Sequence, residues 1–113
     1  MSEKGKGKCK GKCKGKCKGK KYDSGKLQWH LLPIVAIAKV VKVLGFGAEK
    51  YGEDNWMMVE NSRVRYFDAA MRHLTTWYNG ERYDKESGYH HLAHAICCIV
   101  FLLTLDGGRD EED

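Results

Sequence analysis

The run AICCIVFLLTL, from Ala95 to Leu105, constrains this chain more than any other feature. Its 11 residues carry no charge, no Gly and no Pro, so as a helix it is apolar on every side. A membrane-crossing helix needs roughly 20 such residues. The run is therefore expected as a central core helix, enclosed by other elements rather than by lipid. Extended back through YHHLAH, it predicts a helix over 89–105, stopped by Asp106-Gly107-Gly108.

Two further helices are legible upstream. Pro33 suits a first helical turn, where a missing N–H costs nothing. From there Ile34, Ile37, Ala38, Val41 and Leu44 recur at helical spacing with Lys39 and Lys42 toward solvent, predicting a helix over 34–50. Ser62 is the expected N-cap of a helix over 63–79, with Val64, Phe67, Met71, Leu74 and Tyr78 as its core stripe and Gly80 as its stop. Residues 22–32 read as an ordered lead-in anchored by Leu27, Trp29, Leu31 and Leu32. The expected fold class is all-α, with three main helices in one domain over 22–106. A chain of 113 residues that is 42% apolar has the core for one such domain.

The net charge of +5 hides a segregation. Residues 1–21 hold ten Lys against one Glu, residues 106–113 hold five acids against Arg109, and the stretch between is neutral. The head repeats KGKC three times. It cannot bury apolar surface and is rich in the residue with the most backbone entropy to lose, so a disordered basic tail is expected. Residues 4–21 would attract nucleic acid or another polyanion without sequence preference; the alternative is a solvated tether with no selected partner. Residues 107–113 are expected as an acidic C-terminal tail. The N-terminus lacks an apolar h-region, so no signal peptide is expected; the cytoplasm, where thiols stay reduced, is the expected compartment. Cys9, Cys13 and Cys17 make a poor preformed metal site on a flexible cationic strand, and Cys97 and Cys98 read as packing residues.

The expensive side chains are concentrated elsewhere. Four of the five histidines, His73, His90, His91 and His94, fall within one interval that also contains Glu81, Asp84 and Glu86. His91 and His94 stand at i, i+3, and His90 and His94 at i, i+4, so imidazoles one helical turn apart face an acid-rich link. Fixed lone pairs with compensating charge are what a divalent ion requires; core or interface histidines are the bland alternative. Asp68 and Arg72 at i, i+4 read equally as an intrahelical ion pair or as part of a site. The segment GAEKYGEDNW offers Lys50, Tyr51, Asn55 and Trp56, groups that hold a nucleotide, or else a structural turn with Trp56 buried.

Taken in order, YDSGKLQWHLLP, GAEKYGEDNW, RYFDAAMRH and DKESGYHHLAHA resemble the N-terminal domain of the phage dATP/dGTP diphosphohydrolases, associated with the MazG-like nucleotide pyrophosphohydrolases, over about residues 22–105. The resemblance implies divalent-metal-dependent hydrolysis of dATP or dGTP to monophosphate and pyrophosphate, in the cytoplasm of a phage-infected host. MazG-type enzymes hold magnesium with EExxE and ExxD carboxylates; here one ExxD, Glu81 and Asp84, lies in a link, and histidines stand where acids are expected. On this reading His73, Asp84, His91 and His94 face the metal (Mg or Mn first, Zn as the alternative). Asp68 and Glu81 serve as further ligands or general base, Arg72 and Lys50 meet phosphate oxygens, and Tyr51, Asn55 and Trp56 meet the base. So small a unit has little room for a closed pocket, so a homodimer is expected, with no membrane partner. Two other classes stay open: a nucleotide- or metal-binding module without turnover, and a nucleic-acid-associated accessory protein using its Lys-rich tail.

Overall fold

The computed structural model describes residues 19–107. Its architecture is three helices, α1 (Ile34–Tyr51), α2 (Ser62–Tyr78) and α3 (His91–Gly107), with short 3-10 turns at Trp29–Leu31 and Asn55–Met58. Among the described residues there is no β-strand, only an isolated antiparallel bridge between Tyr83 and His90. The fold is all-α, as the sequence predicts. The expected tail over 1–21 and the acidic tail over 107–113 lie almost wholly outside the described residues, as do Cys9, Cys13 and Cys17. None of the described helices is long and apolar enough to cross a membrane.

α3 occupies the middle. It packs along α2 and against α1, while α1 and α2 barely meet. On the α1 side, Val40 and Val43 bury against Ala93 and Cys97, with Leu44 and Tyr89 closing the edges. The small α3 residues let α1 approach until the Cys97 thiol donates to the Val40 carbonyl at 3.5 Å. Each valine buried this way contributes about 1.5–3 kcal/mol. Burial pushes the Cys97 thiol up to about 12, so it is a packing residue and not a nucleophile.

Helix ends match or differ from the sequence reading in informative ways. α1 agrees with its predicted range to one residue: it runs through Gly45 and Gly47 and stops where Gly52 takes φ 102° and its N–H reaches the Ala48 carbonyl. Ser62 is not the cap of α2 but its first residue; Asn61 precedes it at φ 60°, a left-handed conformation that asparagine tolerates better than most residues. α3 begins at His91, two residues later than expected, because the Tyr83–His90 bridge holds the chain extended until then.

The predicted core stripes also turn out differently. On α1 the inward residues are Val40 and Val43, while Ile34 and Val41 face outward. Both sides of α1 are apolar, so spacing alone could not choose between them. On α2 the inversion is sharper. Of the predicted stripe Val64, Phe67, Met71 and Tyr78 lie on the outside and only Leu74 is half-buried; α2 turns Tyr66, Ala70 and His73 inward beside it. A helix that presents its polar side to its neighbour at the cost of its apolar one has something to position there.

Candidate metal centre

His73 comes from the inward side of α2 and His91 from the first residue of α3. Their Nδ1 atoms face each other at 2.8 Å. Asp84, in the connection between these helices, brings a carboxylate oxygen to the same point: the three ligand atoms all lie within 4.8 Å of one another. His91 is the buried polar residue of the core, only 4% exposed.

The connection is folded, not a slack link. Asp84 N–H donates to the Tyr89 carbonyl, Gly88 N–H to the Asp84 carbonyl, and His91 N–H to the Arg82 carbonyl, each within 2.9 Å. The turn closes because Asp84 Oδ2 accepts the Ser87 N–H at 2.9 Å and Gly88 supplies φ 80°, which a side-chain-bearing residue rarely adopts. The sequence reading singled out neither Ser87 nor this turn, although D-x-x-S-G is its signature. His90 caps α3, its Nδ1 accepting the Leu92 N–H at 3.1 Å, with its ring edge-on to Tyr83.

Protons can be placed from these partners. Glu81 Oε2 lies 2.8 Å from His91 Nε2, so that nitrogen carries a hydrogen and donates it to the carboxylate. The same hydrogen bond, first among several causes, holds the Glu81 carboxyl below its usual range. Burial, helped by the nearby His94 and His91 rings, lowers His73 to about 4, so it is neutral at pH 7. One of the two facing Nδ1 atoms carries the hydrogen that the other accepts, and a cation would replace that proton. For Asp84 burial works against ionisation, but the hydrogen bonds from Ser87 and the adjacent His94 and His73 outweigh it and the carboxyl titrates low.

Two imidazole nitrogens and an ionised carboxylate suit a divalent ion. Neighbouring ligands of an octahedral ion, at about 2.1 Å from it, stand about 3.0 Å apart, close to the spacing of the two Nδ1 atoms. Glu81 completes a carboxylate–histidine pair that would fix the ring for ligation.

Other predicted site residues fall at varying distance from this point. His94 stacks face to face on His73, centroids 4.5 Å apart, but its Nε2 is taken by the Ser87 hydroxyl at 2.7 Å, and it stands outside the three-residue group. Burial lowers its pKa as well. Asp68 and Arg72 are exposed, and no ion pair closes between them among the described residues. Lys50, at the end of α1, binds Glu86 of the connection and lies over the Tyr51 ring, 5.1 Å from its centroid. The Glu86 hydrogen bond raises its pKa. Asn55 and Trp56 do not join the cluster. Trp56 stacks on Phe101, centroids 4.5 Å apart, and its carbonyl accepts the Tyr66 hydroxyl at 3.2 Å. Phe101 is ten residues along α3 from His91, about 15 Å of helix, so the indole braces the far end of the bundle.

Comparison with known proteins gives two findings. The profile of the family described as dATP/dGTP diphosphohydrolase, N-terminal, matches residues 16–113. A "dATP/dGTP diphosphohydrolase" of Salmonella phage PMBT28 is 34% identical over 93 residues, covering 82% of this chain and 31% of the relative. The chain thus spans about a third of the length of that relative. No solved structure matches the chain.

Proposed function

Because the chain belongs to the dATP/dGTP diphosphohydrolase N-terminal family, we propose that it holds the divalent ion used to hydrolyse purine deoxynucleoside triphosphates to monophosphate and pyrophosphate. The observation that carries this reading is that His73, His91 and Asp84, from three separate segments, each bring a ligand atom within 4.8 Å of the others. An ion bound there would neutralise phosphate charge and lower the pKa of a water. Glu81 keeps the His91 proton on Nε2 and so leaves Nδ1 free to ligate. On this reading Arg72, next to His73 on α2, would be the cation that meets phosphate oxygens, while Lys50 is held by Glu86. Imidazole donors favour Zn²⁺ or Mn²⁺ over Mg²⁺, which keeps to oxygen ligands. The reading includes a phage setting, in which the host's nucleotide pool would be edited; the phage source of the relative supports it.

The test is release of pyrophosphate from dATP and dGTP in the presence of Mn²⁺, Zn²⁺ or Mg²⁺, each checked with a chelator. Chelator-sensitive release, strongest with Mn²⁺ or Zn²⁺, is the expected result. No release with any of the three ions overturns the reading.

The working unit on this reading is a symmetric dimer. Leu92, Ile96, Ile99 and Leu103 of α3 recur at alternating spacings of four and three, the seam spacing of paired helices. Ile96, Ile99 and Leu103 point away from α1 and α2, with Leu103 71% exposed. The seam carries no charge, so an identical copy meets it without repulsion. Light scattering on the full chain should give twice the monomer mass, and Ile99→Glu with Leu103→Glu should halve it while helicity persists. A monomeric wild-type chain overturns the dimer.

A further inference from the structure

One pocket adjoins the metal centre without belonging to it. It is about 310 Å³ and is lined by Phe46, Glu49, Lys50 and Glu86. Phe46 forms its link to the ion site: the ring stands edge-on to Tyr89, centroids 6.1 Å apart, and to His94, centroids 6.4 Å apart, and His94 in turn stacks on His73.

The lining charges say what the pocket takes. Lys50 already holds Glu86, which leaves the Glu49 carboxylate, exposed and without a partner among the described residues. Two carboxylates against one ammonium repel a triphosphate. A neutral heterocycle has no such penalty, and its N–H groups are what a lone carboxylate, acceptor on both oxygens, can bind. The hollow is open to solvent and lined by four residues, so it offers a platform for one ring system with the sugar and phosphates lying beyond it.

We propose that this pocket binds the purine base of the substrate and that Glu49 reads it, favouring guanine. The inference rests on the purine-nucleotide function proposed above. Guanine presents N1–H and the 2-amino group side by side, matching the two oxygens of a carboxylate; adenine places an acceptor, N1, beside its 6-amino group. A site built to pair with donors discriminates strongly against a ligand that lacks them. Phe46 packs against the base edge and carries it next to the rings of the ion site.

The experiment is calorimetric titration of the full chain with dGMP, dIMP and dAMP in chelator, so that turnover plays no part. The wild-type chain should bind dGMP about tenfold more tightly than dIMP, which lacks the 2-amino group, and more tightly again than dAMP, because a charge-assisted hydrogen bond is lost at each step. Glu49→Gln should weaken dGMP about tenfold and strengthen dAMP, since a carboxamide offers the acceptor and donor that adenine's edge requires. Parallel changes for all three nucleotides, no change, or no wild-type binding overturns the assignment. Normal metal-dependent hydrolysis with an unaltered base preference in Glu49→Gln defeats this inference alone. The expected binding pattern without hydrolysis under any ion defeats only the proposed reaction.

Discussion

His91→Ala lowers divalent-ion affinity by more than about a hundredfold in a calorimetric titration, and with it the metal-dependent release of pyrophosphate. His91 is the one ring with both nitrogens engaged, Nδ1 toward His73 and Nε2 toward Glu81. Truncating it removes a ligand and at once strands the other two groups: His73 loses the atom it faces, and Glu81 loses its hydrogen. The loss should therefore exceed the 10–100-fold typical of removing an outer partner alone. The backbone bond from His91 N–H to the Arg82 carbonyl survives in alanine, so circular dichroism should still show three helices. Ion affinity within a few-fold of wild type would sink the assignment of the centre.

Glu81 yields the second large effect, and its series separates positioning from mere charge. Glu81→Ala should cost 10–100-fold in ion affinity, because His91 is then free to rotate or to carry its proton on Nδ1. Glu81→Gln keeps an acceptor oxygen for the Nε2–H and should cost less. The expected order is wild type, then Gln, then Ala, with Asp68→Asn, on the outer side of α2, indistinguishable from wild type. Equal losses for Gln and Ala would make Glu81 a simple counter-charge, and a large loss for Asp68→Asn would move the site elsewhere.

Much of this was legible in the sequence, and the failures share a cause. The apolar run after Ala95 announced the central helix, and the histidines with Asp84 marked the cluster. The α2 helix was legible but most of its core stripe was not, because the rule that apolar residues turn inward competes with the placing of His73 against His91. Here the polar side won and Phe67 and Met71 were left outside. Departures from local rules are expected at functional sites. Glu81 was read as ligand or base, since spacing cannot tell which face of an imidazole a carboxylate approaches. For Trp56 the segment GAEKYGEDNW leaves a base-stacking role and a packed structural turn equally open, because nothing in it reveals that the ring finds Phe101, 45 positions downstream. Glu49 and Phe46 escaped notice altogether; they acquire meaning only when α1 is laid beside the connection that follows α2.

That connection has a consequence for how the molecule breathes. Arg82 to His91 is stitched by a few backbone bonds with little apolar burial beneath them, and Glu81, Asp84, Glu86 and Ser87 ride on or beside it. Segments of that kind open at far lower cost than the helices they join. Opening of the connection on gentle warming would therefore carry Asp84 away from His73 and His91, which stay on their helices, while every helical signal is kept. An ion bridging Asp84 to the two histidines ties that loose stitch to the firm bundle, and the two transitions merge into one.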